Sequence, residues 1–160
     1  MDARAAHLVD ALALETHPEG GFYREVFRSS QTVRPTDGRP ERAGLTTIYF
    51  LLVDGGHSRW HRVASDEAWH FYEGAPLDLW VADAEATAVE THRLGPLGDA
   101  AAPVRVVPAG AWQAARTTGA YTLVGCTVGP GFDFSDFELL APDAPLADAL
   151  RQHDDAEDFL

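Results

Sequence analysis

The sequence predicts an all-β protein, either a sandwich or a barrel, with a short N-terminal helix and a short C-terminal helix. Its 160 residues fit one domain of ordinary size, which can bury a core without disulfides or a structural metal. Seven short runs rich in β-branched and aromatic residues alternate with turn residues. Their connections leave no room for the crossover helices of a parallel α/β sheet. We therefore expect a single domain over 1–160, with a core over about 8–140 and an acidic tail over 141–160.

The individual elements follow from local patterns along the chain. Residues 2–14 place apolar side chains at helical spacing, which predicts an amphipathic helix. The sequence His17-Pro18-Glu19-Gly20-Gly21 ends that helix, because proline and paired glycines favour a tight turn. Strands are predicted over 22–27, 45–53, 67–72, 77–82, 87–94, 104–107 and 121–128. An exposed loop is predicted over 30–42, and a second helix over 145–153.

Composition excludes several classes of function. The chain has 25 acidic residues against 12 basic ones, all of them arginine, so its field repels phosphate backbones and anionic membranes. Without lysine, Schiff-base chemistry is excluded, and no Gly-rich phosphate loop or dinucleotide fingerprint is present. The one cysteine, Cys126, cannot form an internal disulfide, and we interpret it as a small buried hydrophobe. With no signal-peptide pattern and no run of ~18 apolar residues, we expect a cytoplasmic protein.

The residues that can carry chemistry concentrate between positions 57 and 74. His57, His61, His70 and Glu67 lie within fourteen residues of one another. Neutral imidazole together with carboxylate is a ligand set that Zn, Fe, Mn or Ni can use. A divalent metal site is therefore one hypothesis for this stretch.

This stretch resembles the first motif of the cupin superfamily, which runs from a His-x-His pair through a Glu to a Gly seven residues later. Glu67 and Gly74 keep that last interval, whereas Arg59 stands at the first histidine position and His61 at the second. The segment Pro108-Ala109-Gly110 is similar to the turn of the second cupin motif, and Gln113 stands at the position of that motif's histidine. The resemblance implies a divalent metal, Zn, Ni, Fe or Mn, held by a weakened ligand set: His57, His61, Glu67 and Gln113.

Two further segments resemble one small cupin group, the HPEGG type, which is filed as a domain of unknown function. They are His17 to Glu25 and Val128 to Glu138. This likeness implies a cupin double-stranded β-helix, that is a jelly-roll barrel, with a small-molecule cavity inside, and it implies a homodimer. The phenylalanines between 129 and 137 fit either a cover over a barrel end or a dimer seam, and we favour the seam.

Strand periodicity sorts the candidate site residues. Alternation over 67–72 places Glu67 and Trp69 on one face and His70 on the other, so His70 does not share a site with Glu67 if the first face points inward. Glu67 either faces the cavity or pairs with Arg59 or Arg62. Glu19, Tyr23 and Glu25 surround the Gly-Gly turn and reach the cavity if their face points inward. The four tryptophans fit the core better than a ligand site.

Two classes of function follow, and both stay open. The first is an epimerase- or isomerase-like enzyme with His61 as general base and with Tyr23 and Glu67 as further catalytic residues. Its ligand-binding residues are Glu19, Glu25, Arg59, Trp69 and Gln113, and Arg24, Arg59 or Arg62 would hold an anionic substrate through the planar guanidinium group. A neutral histidine base predicts that activity falls below about pH 6.5. The second class is a non-catalytic ligand-binding cupin, and a metal-dependent oxygenase is a weaker third.

Overall fold

The chain folds into fourteen strands, two α-helices and one 3-10 helix within the residues that the computed structural model describes, 1–98, 100–152 and 159. The helices are α1 (Ala3–Ala11), the 3-10 helix (Phe134–Asp136) and α2 (Pro145–Leu150). The strands are β1 (Glu15–Thr16), β2 (Phe22–Arg28), β3 (Thr32–Val33), β4 (Arg42–Ala43), β5 (Thr46–Val53), β6 (His61–Val63), β7 (Asp66–Gly74), β8 (Leu77–Ala82), β9 (Val89–Leu94), β10 (Ala101–Ala102), β11 (Val104–Val107), β12 (Trp112–Thr117), β13 (Tyr121–Gly129) and β14 (Phe137–Leu139).

Two six-stranded sheets form the body of the molecule. The first has the strand order β1-β2-β5-β13-β7-β11, and the second has the order β10-β9-β8-β12-β6-β14. All pairings within them are antiparallel except that of β9 with β10. Neighbours in the sheets are distant in sequence, as in β5 beside β13 and β8 beside β12. This crossed arrangement is that of a jelly roll.

Side-chain alternation divides the core into layers. On β8 and β12, Leu79 pairs with Ala115 and both belong to the core cluster between the sheets, which also contains Phe50 and Trp69. The next pair, Trp80 and Ala114, points the other way into a second cluster. A period of two along each strand thus gives both faces of the second sheet an apolar layer.

The termini cover the outer faces of the two sheets. Helix α1 is capped by Asp2, whose side chain accepts hydrogen bonds from two backbone amides, and it packs Leu8 against Leu51 and Leu123 of the first sheet. Helix α2 and Phe159 complete the cluster on the outer face of the second sheet. Phe159 is fully buried, with its ring centroid 4.6 Å from that of Trp80.

The predicted all-β class and the two short terminal helices are confirmed, while several boundaries differ. The N-terminal helix is shorter than predicted. Seven strands were not predicted: β1, β3, β4, β6, β10, β12 and β14, of which β3 and β4 pair across the predicted loop 30–42. Most of them have only two or three residues, and β12 is buried along nearly its whole length and so shows no alternation. Helix α2 ends at Leu150, and the last predicted position, His153, lies outside the described residues. The acidic positions of the predicted tail that also lie outside them are Asp154, Asp155, Glu157 and Asp158.

Candidate functional site

A cavity of about 290 Å³ opens at one end of the space between the two sheets. Its floor contains Glu19, His61 and Glu67, all buried. Its mouth contains Tyr23, Glu25, Arg24, Arg28 and Glu15, and its apolar wall contains Ile48, Val63, Cys126, Val128, Phe132, Phe134 and Phe137. A concave site with apolar walls and a few convergent polar groups is the usual form of a small-molecule site.

His61 forms a buried ion pair with Glu19. Its Nε2 lies 2.9 Å from Glu19 Oε2, and its Nδ1 lies 2.8 Å from the backbone oxygen of Arg59. Both ring nitrogens therefore face acceptors, which favours the doubly protonated ring. Burial by itself lowers the pKa of His61, but the negative charges of Glu19 and Glu67 outweigh burial and raise that pKa to about 9.

This protonation state bears on the predicted role of His61 as general base, which stays a prediction. A neutral His61 acting as general base, with activity falling below about pH 6.5, requires an ordinary imidazole. With a pKa of about 9, the ring carries a positive charge at neutral pH. His61 thus forms the cationic side of the pair with Glu19, and both of its ring nitrogens face acceptors.

Glu67 is held by a buried chain of hydrogen bonds. The indole N–H of Trp69 donates to Gln113 Oε1 over 2.9 Å, and Gln113 Nε2 donates to Glu67 Oε2 over 2.5 Å. Burial raises the pKa of Glu67, whereas His61 opposes that shift, so the neutral acid is favoured relative to an exposed glutamate. The Cys126 thiol lies beside this carboxyl group, and burial raises its pKa well above the usual range.

The Gly-Gly turn places Glu19 in the floor. Gly20 has a φ of +106°, and a side chain there would meet a backbone oxygen at 2.6 Å, so glycine is required. The backbone N–H of Glu19 donates to Nδ1 of His17 over 3.2 Å, which leaves that nitrogen unprotonated. Burial lowers the pKa of His17, and its ring stands edge-on to that of Tyr23 at 4.5 Å. Sequence reasoning missed His17 as a site residue, although it lies within the quoted turn motif.

The segment between 129 and 137 lies over the cavity. Phe132, Phe134 and Phe137 line it, and their ring centroids are 5.0–6.1 Å apart. Arg28 joins this segment to β2, because it donates to the backbone oxygen of Phe132 and pairs with Glu25. This placement corresponds to the cover over a barrel end, while the dimer seam stays a prediction.

The structure brings together Glu19, Tyr23, Glu25, His61 and Glu67 around the cavity, with Gln113 behind Glu67. Trp69 lies one step further back, in the core, where it orients Gln113. The alternation predicted for β7 is confirmed, since Glu67 and Trp69 are buried.

Other predicted residues lie elsewhere. His57 does not line this cavity, and its ring packs 5.3 Å from that of Phe159. Arg59 contributes only backbone groups to the site, which accept from His61 and donate to the carbonyl oxygen of Glu19. Arg62 pairs with Glu138, so the expected alternative of an ion pair between Glu67 and Arg59 or Arg62 is not formed.

The donor atoms of this site do not fit a divalent metal ion. Both nitrogens of His61 are engaged by acceptors, both side-chain heteroatoms of Gln113 are engaged, and His57 lies apart. Among the described residues, no three His, Cys, Asp or Glu side chains are grouped to hold a metal. The ligand set implied by the family resemblance, His57, His61, Glu67 and Gln113, is therefore not assembled.

A jelly-roll barrel with a polar-floored cavity between its sheets defines a protein of the cupin type. The chain belongs to the cupin superfamily (DUF985), because the sequence model of that family matches residues 6–140. No curated protein matches the sequence. Within the described residues, no helix is long and apolar enough to cross a membrane.

Solved structures agree with this assignment. A protein from Shewanella oneidensis is 37% identical, with a TM-score of 0.86 over 98% of this chain and 96% of its own. A hypothetical protein from Leishmania major is 32% identical, with a TM-score of 0.86 over 96% of each chain. Oxalate decarboxylase from Bacillus subtilis, at 16% identity, has a TM-score of 0.58 over 78% of this chain and 29% of its own, and shows the fold alone.

Proposed function

We propose that the chain binds a small organic molecule in the cavity between its sheets and transfers a proton on it, as an isomerase- or epimerase-type enzyme. The observation that carries this proposal is that two buried carboxyl groups, those of Glu19 and Glu67, lie on one cavity floor in different electrostatic environments. Carboxyl groups that differ in this way are the usual basis for dividing acid and base roles within one site.

The proposed proton transfer uses these two groups in opposite roles. The ion pair with His61 holds Glu19 as a carboxylate, which accepts a proton from a C–H or O–H group of the ligand. Burial favours the neutral form of Glu67, which then donates its proton to the ligand. After one turnover, Glu19 is protonated and Glu67 is ionised, and exchange with solvent restores the starting state.

Hydrogen exchange into a retained ligand tests this proposal. The untagged protein is incubated with a metabolite extract and desalted, and native mass spectrometry gives the mass of any bound molecule. The complex is then transferred to D₂O, and the released molecule is returned to H₂O before its mass is read. Proton transfer at carbon predicts a retained gain of deuterium that is lost in Glu19→Gln.

Glu90→Gln is the matched control, because it removes the same charge from an exposed position that does not line the cavity. It should behave like the unmodified protein. Failure to retain any molecule, together with no stabilisation by the extract in thermal unfolding, would contradict the proposal.

A second candidate is a ligand-binding cupin without catalysis. It is favoured by the hydrogen bonds that already occupy both ring nitrogens of His61 and one oxygen of Glu67. Such groups orient a bound molecule without reacting with it. Retention of a molecule that gains no carbon-bound deuterium would select this function.

A homodimer is also proposed, from the resemblance and from apolar side chains on the outer face of the first sheet. Tyr72, Val104 and Val106 are exposed there, near the β11 edge. Light scattering should give twice the chain mass, and Val106→Glu should give the monomer. If instead Phe134→Ser alone dissociates the dimer, the contact is the seam over 129–137.

A further inference from the structure

We infer that the ligand of the cavity is an organic ammonium ion that carries an apolar or aromatic group. This inference rests on the proposed function, since it names the class of molecule that the cavity takes. Three features support it: the acceptors that the floor leaves open, the engagement of its cations, and the aromatic rings at its mouth.

The cavity floor offers acceptors that the protein does not satisfy. Glu19 and Glu67 are 5% and 7% exposed, and the donors from His61 and Gln113 reach Oε2 of each. Within the described part of the chain, Oε1 of Glu19 receives no hydrogen bond, while Glu67, as the neutral acid, has only one oxygen left to accept. A ligand that donates a hydrogen bond to Oε1 of Glu19 satisfies this oxygen, and a cationic donor forms the stronger, charge-assisted bond.

The positive groups around the cavity, apart from Arg24 at its mouth, are engaged by protein acceptors. His61 uses both ring nitrogens, and Arg28 uses Nε and Nη2 on Glu25 and Nη1 on the backbone oxygen of Phe132. Arg24 donates to the backbone oxygen of Leu12 and is otherwise solvent-exposed at the mouth. On the cavity floor, an anionic ligand would therefore meet two buried carboxyl groups and no positive group that is free to bind it.

The mouth of the cavity suits the apolar part of such a cation. Tyr23, Phe132 and Phe137 line the route to the floor, and their π faces attract positive charge. The net charge of the whole chain, −13, also favours the approach of cations over anions.

Three probes of similar size and the same ring test the inference. They are 2-phenylethylamine, 2-phenylethanol and 3-phenylpropionate, which differ in carrying a positive, a neutral and a negative group. Binding is measured by calorimetry at near-neutral pH and low salt. We expect the amine to bind at least roughly tenfold more tightly than the carboxylate, with the alcohol between them, from the strength of a charge-assisted hydrogen bond.

Two variants locate the effect. Glu19→Gln should weaken amine binding roughly tenfold while alcohol binding changes by less than about twofold, since it removes the carboxylate charge that faces the ligand. Glu90→Gln, an exposed position outside the cavity, should leave all three affinities unchanged.

The outcomes separate this inference from the proposed function. Equal or tighter binding of 3-phenylpropionate, or an amine affinity unaffected by Glu19→Gln, would overturn the ammonium assignment and leave a small-molecule cavity in place. Absence of binding by all three probes in the millimolar range would overturn the ammonium assignment, whereas the proposed function fails only if no molecule is retained from the metabolite extract.

Discussion

Replacing His61 by glutamine removes the positive charge from the buried pair with Glu19, and the pH dependence of stability reports that charge. The ordinary pKa of histidine, 6.5, applies to the unfolded chain, and the folded value is about 9. Between these values the folded protein binds a proton that the unfolded chain has released, so the free energy of unfolding falls as the pH rises. The contribution is fully present below about pH 6.5 and is lost through about pH 9.

The size of this contribution follows from the difference in pKa. One pKa unit corresponds to about 1.4 kcal/mol, so the shift from 6.5 to about 9 is worth about 3 kcal/mol. His61 is only 2% exposed, so solvent screening does not reduce that figure substantially. His61→Gln also leaves Glu19 as a buried carboxylate without its cation, which costs about 3–5 kcal/mol at neutral pH.

Urea unfolding at a series of pH values between about 6 and 10 measures how the free energy of unfolding changes as His61 loses its proton. The unmodified protein should lose about 3 kcal/mol more than His61→Gln across this interval. The double variant Glu19→Gln/His61→Gln should recover part of the stability, because no unpaired charge remains buried. His7→Gln, at an exposed position on α1, is the control and should follow the unmodified protein.

Parallel curves for the unmodified protein and His61→Gln would refute the reasoning, since they would mean that His61 carries no extra proton in the folded state. Nitrogen-detected NMR of the imidazole ring provides an independent reading. It should show both ring nitrogens of His61 protonated at neutral pH, and a neutral ring would contradict the ion pair.

Three further predictions concern the scaffold around the site. Gln113→Leu should cost about 1–3 kcal/mol in urea unfolding, because the buried indole N–H of Trp69 loses its acceptor; no measurable loss would mean that water replaces it. Gly20→Ala should cost several times more than Gly38→Ala, since both have positive φ but a side chain meets a backbone oxygen only at Gly20; equal losses would remove the steric argument. Phe159→Ala should lower stability by about 3–5 kcal/mol, as for other fully buried phenylalanines, and near-neutral stability would show that this ring is dispensable.

The fold was largely predictable because its signals are local. Period-two alternation and turn residues gave the long strands, with β8 and β11 at their observed bounds. Short strands such as β6 and β14 escaped detection, since three residues carry too little periodicity and their pairing partners are far away in sequence. The C-terminal cluster around Phe159 could not be predicted for the same reason, because nothing near that residue indicates which surface it covers.

The candidate site shows the same division. From the sequence alone, His61 and Glu67 were assigned to the cavity, and Glu19 was placed beside the Gly-Gly turn, within reach of the cavity if its face points inward. The charge on His61 was not predictable, because it depends on Glu19, forty-two positions earlier in the chain, lying 2.9 Å from Nε2. The role of Trp69 was not predictable either, because its indole N–H is linked to Glu67 only through Gln113, which lies on the facing sheet.

The sequence by itself determined the all-β class, the terminal helices, the turn that carries Glu19 and the inward face of β7. Each of these depends on neighbouring residues and on the fixed geometry of strands and turns. Only the tertiary structure decided which acceptors surround His61, that His57 lies away from the cavity, and that the phenylalanines cover the barrel end. These features depend on distances between segments that are remote in the chain. The charge of a buried side chain such as His61 depends in turn on its burial and on the charges that these segments bring near it.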